Sequence, residues 1–123
     1  MATLANRVYD NGLTVLDVEA NRVDLCSAEP TTYTEATSTN TLGNTTSISI
    51  SSPEDGDTSG RKVTLNAISG ASITGSGTAT HFAISDTSNS RLLVTGPITP
   101  TQAVISGNTF SLTALDIEIP DPS

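Results

Sequence analysis

From Arg61 to Pro120, apolar residues recur at every second position, and Gly, Ser, Asn and Pro interrupt them at short intervals. A period of two puts successive side chains on opposite faces, so this half of the chain predicts a series of half-buried β-strands. The best of them spans residues 78–86. Thr80, Phe82 and Ile84 share one face and Ala79, His81 and Ala83 the other, and both faces are apolar or small enough for a central strand. Strands are also expected at 61–67, at 91–95 with Gly96-Pro97 closing it, at 101–105, and at 109–119. Turns fall at 87–90 and at Ser106-Gly107-Asn108. Residues 69–77 read as a turn-rich link, with Ile73 in a brief strand. In the last strand the apolar positions change parity, from Phe110 and Leu112 to Leu115, Ile117 and Ile119. A one-residue bulge near Thr113-Ala114 would reconcile the two halves.

The first half is less regular. Leu4, Val8, Leu13 and Leu16 trace a helical stripe within residues 1–20. Asn11-Gly12 interrupts that stripe, and Asp10-Asn11-Gly12 is also a good hairpin turn. A short amphipathic helix is favoured, with a β-hairpin as the competitor. Residues 23–27 read as a strand that ends before Pro30. Residues 31–44 are polar, Thr-rich and without periodicity, and read as a long surface loop or arm. Residues 45–51 alternate cleanly as a strand, and 52–60 form a loop on Pro53, Gly56 and Gly60. The whole, residues 1–123, is expected to be one mainly β domain. It would be an antiparallel β-sandwich or barrel with a short N-terminal helix and a stiff tail at 120–123.

Composition narrows what such a fold can do. Ser and Thr make up roughly 30% of the chain, far above ordinary usage, and Thr suits a half-wet pleated surface. Aromatics are limited to Tyr9, Tyr33, Phe82 and Phe110. The core therefore rests on small aliphatic side chains, with Phe82 and Phe110 expected inside it, and such a core favours support from an oligomer or larger assembly. The formal net charge is −8, with only five Lys and Arg residues. Phosphate contacts need clustered cations, so nucleic acid is disfavoured as a partner, and an acidic surface fits a partner with basic patches. No apolar run approaches the ~20 residues of a membrane span, and the N-terminus lacks the pattern of a signal peptide. Synthesis in a cytoplasm without secretion is expected, and no membrane partner.

The candidate chemistry is sparse. His81 sits mid-strand; as a base or metal ligand it would need partners, and a strand histidine packed beside Thr and Ala is the simpler reading. Cys26 cannot form an internal disulfide, being the lone cysteine, and reads as a small core residue. Glu54-Asp55-Gly56-Asp57 matches part of a calcium loop but lacks the distant closing Glu. A solvated acidic turn is expected there, with calcium bound between this loop and another as the alternative. Lys62 is the sole lysine, and Ile73-Thr74-Gly75-Ser76-Gly77-Thr78 lacks the lysine of a phosphate loop. No catalytic, cofactor or metal residue is assigned, and the chain is not expected to be an enzyme.

Four segments carry a resemblance. They are Leu25-Cys26-Ser27-Ala28-Glu29-Pro30-Thr31-Thr32-Tyr33, Ser59-Gly60-Arg61-Lys62-Val63-Thr64, Gly77-Thr78-Ala79-Thr80-His81-Phe82-Ala83-Ile84 and Leu115-Asp116-Ile117-Glu118-Ile119-Pro120-Asp121-Pro122. Their order, over nearly the whole chain, resembles small structural proteins from the virion gene modules of tailed bacteriophages. The resemblance implies a head decoration (cement) protein, or a small tail or fibre component, with no catalytic residues. A short domain without a repetitive shaft, and an acidic surface, favour decoration. The implied partner is the major capsid protein, bound on the capsid exterior by a homo-oligomer, a trimer favoured. The N-terminal segment 2–18, the arm 31–44 and the end 116–123 are the expected contact elements. A host-binding adhesin module is the rival reading.

Overall fold

The structure, a computed structural model, describes residues 5–121. The beginning of the N-terminal segment, Leu4 included, and Pro122 and Ser123 of the tail lie outside the described residues. The chain is mainly β, about half strand, with antiparallel pairing and one N-terminal helix. It divides into two units, one built from residues 5–19, 49–67 and 113–121, the other from residues 20–48 and 68–112.

The first unit is a helix on a small sheet. Helix α1 spans Asn6–Glu19 and buries Tyr9, Leu13 and Leu16. These lie at i, i+4 and i+7, one face of a helix. Helix wins over hairpin here: Asn11 and Gly12 sit inside it, and the cost of Gly12 is outweighed by three buried side chains worth about 2 kcal/mol each. The stripe differs from the expected one by a residue: Tyr9 is inside and Val8 is 57% exposed. The sheet has the order β3-β4-β9, where β3 is Glu54–Asp55, β4 Arg61–Leu65 and β9 Leu115–Ile119. Opposite one another on β4 and β9 stand Arg61 and Ile119, Val63 and Ile117, and Leu65 and Leu115. This face buries Val63 and Leu65, and α1 lies against β4. The other face pairs Lys62 with Glu118 and Thr64 with Asp116.

The second unit is a six-stranded antiparallel sheet in the order β7-β6-β1-β2-β5-β8. Its strands are β1 Arg22–Cys26, β2 Thr41–Thr45, β5 Ile68–Ile73, β6 Gly77–Asp86, β7 Arg91–Val104 and β8 Thr109–Leu112. In the run β6-β1-β2-β5, the strand latest in the chain lies beside the earliest. The return from β5 to β6 takes only Thr74, Gly75 and Ser76. The Thr74 and Gly75 amides both donate to the Leu42 carbonyl, at 2.8 and 2.9 Å, so the chain turns over the start of β2. As a central strand should, β6 buries both faces, with Ala79, Ala83, Ile84 and Ser85 all inside.

Several boundaries differ from the sequence reading. Residues 31–44 are not an unstructured arm: they hold a π-helical turn at Glu35–Thr39 and most of β2. The Glu35 carboxylate accepts from the Thr31 amide and hydroxyl, both at 2.8 Å, while the Glu35 amide donates to the Thr32 hydroxyl at 3.1 Å. These bonds from Thr31 and to Thr32 fasten the start of the turn. The strand expected at 45–51 is absent, because the Thr45 hydroxyl accepts the Ser47 amide at 3.0 Å and diverts the backbone from a ladder. Only Ile50 there makes a bridge, to Leu65.

The expected link at 69–77 is largely β5. Its alternation is hidden by a register shift between Ile68 and Ala71, where Gly70 has φ +70°. Gly96-Pro97 does not close a strand, since β7 runs through it. At a sheet edge the missing proline N–H costs no ladder bond where it faces outward. Phe82 is half-buried with its ring against Gly96, whereas Phe110 is buried. Nor does a bulge join 109–119 into one strand. The chain breaks at Thr113-Ala114, and its halves, β8 and β9, belong to different sheets. The parity change marks a change of sheet.

Candidate functional site

In the six-stranded sheet, cross-strand register sets one face of β1 and β6. Arg22 stands opposite Ser85, Asp24 opposite Ala83, and Cys26 opposite His81. Asp24 is fully buried and Ser85 and Cys26 equally so. A buried carboxylate must be paired and hydrogen-bonded. Asp24 meets this through two bonds from Arg22, Nε to Oδ1 at 2.7 Å and Nη2 to Oδ2 at 2.9 Å, and one from the Thr41 hydroxyl at 2.7 Å. The pairing with Asp24 raises the Arg22 pKa. Arg22 also reaches the Thr37 carbonyl at 3.2 Å, fastening the π-helical turn over this face. Among the described residues, Ser85 Oγ has no hydrogen-bond partner.

Cys26 packs with Ala36, Ala83 and Leu92, and its thiol points at the Ala36 carbonyl, 3.6 Å away. Burial, reinforced by Asp24, pushes the thiol up to about 12. At neutral pH it is a protonated core residue, not a nucleophile. His81 is half-buried, with Nδ1 2.9 Å from the Thr80 hydroxyl and Nε2 3.6 Å from Glu29. The sequence did not couple Glu29 to His81, because the contact depends on how β1 ends beside β6. Glu29 is itself largely exposed, so the pair lies at the surface and encloses no reacting group.

The acidic loop is organised by the two adjacent cations of β4. Lys62 Nζ donates to Asp57 at 2.6 Å and to Asp116 at 3.2 Å. The Glu118 carboxylate accepts the Asp57 amide, at 2.5 Å. Bonds to Asp57, then to Asp116, raise the Lys62 pKa, while the Thr64 hydroxyl and then Lys62 lower that of Asp116. Arg61, pointing the other way, donates to Asp10 at 2.9 Å, to Asp55 at 2.7 Å and to the Pro53 carbonyl at 3.3 Å. A lysine amine thus sits where a calcium ion would need open carboxylates. Among the described residues, no group of three or more His, Cys, Asp or Glu side chains is placed to hold a metal.

The charge is unevenly divided. The helix-bearing unit carries nine carboxylates against three cations, a formal −6. The six-stranded unit carries four against two, a formal −2. Arg61 and Lys62 both bond carboxylates within the first unit, Asp55 and Asp57 among them, and Glu54 beside them is exposed. On the same unit, Val8, Val15 and Val18 of α1 are 57%, 38% and 73% exposed. Val8 lies on the helical stripe expected from the sequence, and the burial of Tyr9 turns it outward. The helix-bearing unit thus presents an acidic surface with an apolar helix face. Among the described residues, no helix is long and apolar enough to cross a membrane. Scans of protein-family models, of curated proteins and of solved structures each found no match to this chain.

Proposed function

We propose that this chain is a capsid decoration protein of a tailed bacteriophage. It binds the outer surface of the major capsid protein lattice and stabilises the assembled head. The observation that carries the reading is how the ionic groups are used. Arg61 and Lys62 bond carboxylates of their own unit, and the helix-bearing unit keeps a formal −6. Such a surface is suited to a basic partner and to repeated contact across seams. The order of the four virion-protein-like segments supports the same assignment. In this reading the protein acts as a homo-oligomer, a trimer at three-fold positions, and reinforces only the assembled shell, by mass action. It has no catalytic step, cofactor, nucleic-acid partner or membrane partner.

The test is made on particles of the phage that encodes the chain. Hundreds of copies per mature particle, located on the head by cryo-electron microscopy, are expected. Particles lacking it should lose integrity at lower temperature and lower salt than complete ones. A handful of copies at the tail would replace this reading with a tail or fibre component. Absence from mature particles, or equal resistance of particles with and without it, would overturn the proposal.

A further inference from the structure

The two edges of the six-stranded sheet fit one another. β7 and β8 are its outermost strands, and among the described residues neither pairs with a further strand. Each therefore keeps a row of backbone donors and acceptors on its outer side. All five pairings in the sheet are antiparallel, so direction reverses five times between the edges, and β7 and β8 run oppositely. A second copy turned the same way would lay its β8 beside β7 as one more antiparallel pair.

The faces match as well as the directions. Thr95, Ala83, Asp24, Asn44, Ser72 and Thr109 stand opposite one another in turn, one row crossing the sheet from β7 to β8. Directly opposed residues share a face, so Thr95 and Thr109 lie on one face and their neighbours Val94 and Phe110 on the other. Continuing the row into the next copy sets Thr95 against Thr109 and Val94 against Phe110. Hydroxyl then meets hydroxyl and apolar meets apolar, which are favourable cross-strand pairs.

Charge and length select the occupant. The chain carries a formal −8, yet residues 92–115, which hold β8 and all of β7 but Arg91, contain no charged side chain. Two copies can meet along these edges without setting carboxylate against carboxylate. Pro97 and Pro100 blunt the second half of β7. Residues 92–95 carry neither proline nor charge, and they match the four residues of β8. A foreign strand would use one edge, whereas a copy of this chain accounts for both at once.

We infer that copies of this chain join head to tail, β7 of one against β8 of the next, and close into a ring. A head-to-tail contact closes when its rotation does, and the last seam then forms within the assembly, so a short seam suffices. The ring size, a trimer, rests on the decoration reading, whose homo-oligomer this seam builds.

The test uses two full-length chains, T95C and T109C, mixed and oxidised; the native Cys26 is buried in both. A mixed disulfide should form, since opposed Cα atoms of an antiparallel pair lie at the ~5 Å that a disulfide spans. Neither chain alone should cross-link. Sedimentation equilibrium from micromolar to millimolar protein should show the wild type assembling. T95E/T109E sets like charges across the seam and should assemble at least tenfold more weakly. T95K/T109E sets opposite charges there and should recover assembly, with the circular dichroism of all three alike. Cross-linking of either chain with itself would overturn the inference in favour of a two-fold contact. Absence of the mixed disulfide, a wild type monomeric at millimolar concentration, or equal assembly by all three would also overturn it. Ring formation by a chain missing from mature particles would sink only the decoration reading. Particles whose head-bound copies do not cross-link through positions 95 and 109 would sink this inference alone.

Discussion

The Nε of Arg61 lies 2.9 Å from Oδ1 of Asp10, an ion pair joining the first helix to the middle strand of its sheet across 51 residues of chain. The same guanidinium holds Asp55 of the neighbouring strand. One side chain thus ties together three elements that local sequence cannot bring together. Arg61 is mostly covered, with 16% of its side chain exposed. Its fork geometry gives it more than an exposed pair would have. Asp10→Asn and Arg61→Met should each lower the thermal midpoint, and the double variant should fall by less than their sum. A coupling that vanishes in a double-mutant cycle would show the pair to be decorative.

Acid should loosen this molecule through particular carboxylates. Asp116, held by Thr64 and Lys62, and Asp86, held by the Asn89 side chain and the Ser88 amide, both have lowered pKa values. Glu35 is lowered by its bonds from the Thr31 amide and hydroxyl. A lowered folded-state pKa means that the unfolded chain binds protons first. The associated stability is present above the unfolded value of about 4 and is lost as pH falls through the folded one. Urea midpoints should be flat from pH 7 to about 5 and decline below about 4. Thr64→Val, which removes the strongest influence on Asp116, should shrink that decline.

The alkaline side should be governed in part by Cys26. Its thiol is raised to about 12 by burial, so the unfolded chain loses this proton first as pH rises past about 9. The stabilisation is complete below that pH and is lost progressively toward 12. Wild type should therefore exceed Cys26→Ala in stability by less at pH 10.5 than at pH 7. At pH 8 the folded thiolate fraction is about a thousandfold below that of the unfolded chain. Modification by a disulfide reagent should then wait on opening of the fold, and fast labelling of the native protein would contradict the buried placement.

What the sequence made legible was the short-range periodicity. The strand at 78–86 was readable because both faces of β6 are apolar or small, and the helix because Leu13 and Leu16 keep its register. The turn at 35–39 was missed although Thr32-x-x-Glu35 carries a capping signal. The signal is short, and no apolar run follows it. Strand β5 was missed because Gly70 shifts the register and scrambles the alternation. The candidate surface was less legible still. Arg61 and Lys62 are adjacent in the chain, but their opposite directions follow from strand alternation, and their partners Asp10 and Asp116 lie more than 50 residues away.

Two glycines with similar backbones should respond differently to the same change. Gly60 has φ +68° and Gly70 φ +70°, so an added methyl group meets the left-handed penalty at both. At position 70 that methyl would meet open space, whereas at position 60 it would run into the Ile119 carbonyl, which belongs to the partner strand of β4. Gly70→Ala should cost about 1 kcal/mol, and Gly60→Ala about 3 kcal/mol or more, by urea denaturation. Equal costs would mean that β9 moves freely away from the start of β4.

The buried face of β1 and β6 offers the sharpest contrast between a satisfied and an unsatisfied polar group. Asp24 and Ser85 are both fully buried and stand one pair apart on that face. Asp24 accepts three hydrogen bonds, so Asp24→Ala would strand Arg22 and Thr41 and should cost about 3 kcal/mol or more. Ser85 Oγ has no partner among the described residues, and its desolvation is uncompensated there. Ser85→Ala removes that penalty for the loss of one atom, and should be neutral or stabilising by up to about 1 kcal/mol. Denaturant unfolding of the two variants beside wild type decides the matter. A destabilised Ser85→Ala would mean that the hydroxyl is bonded in solution.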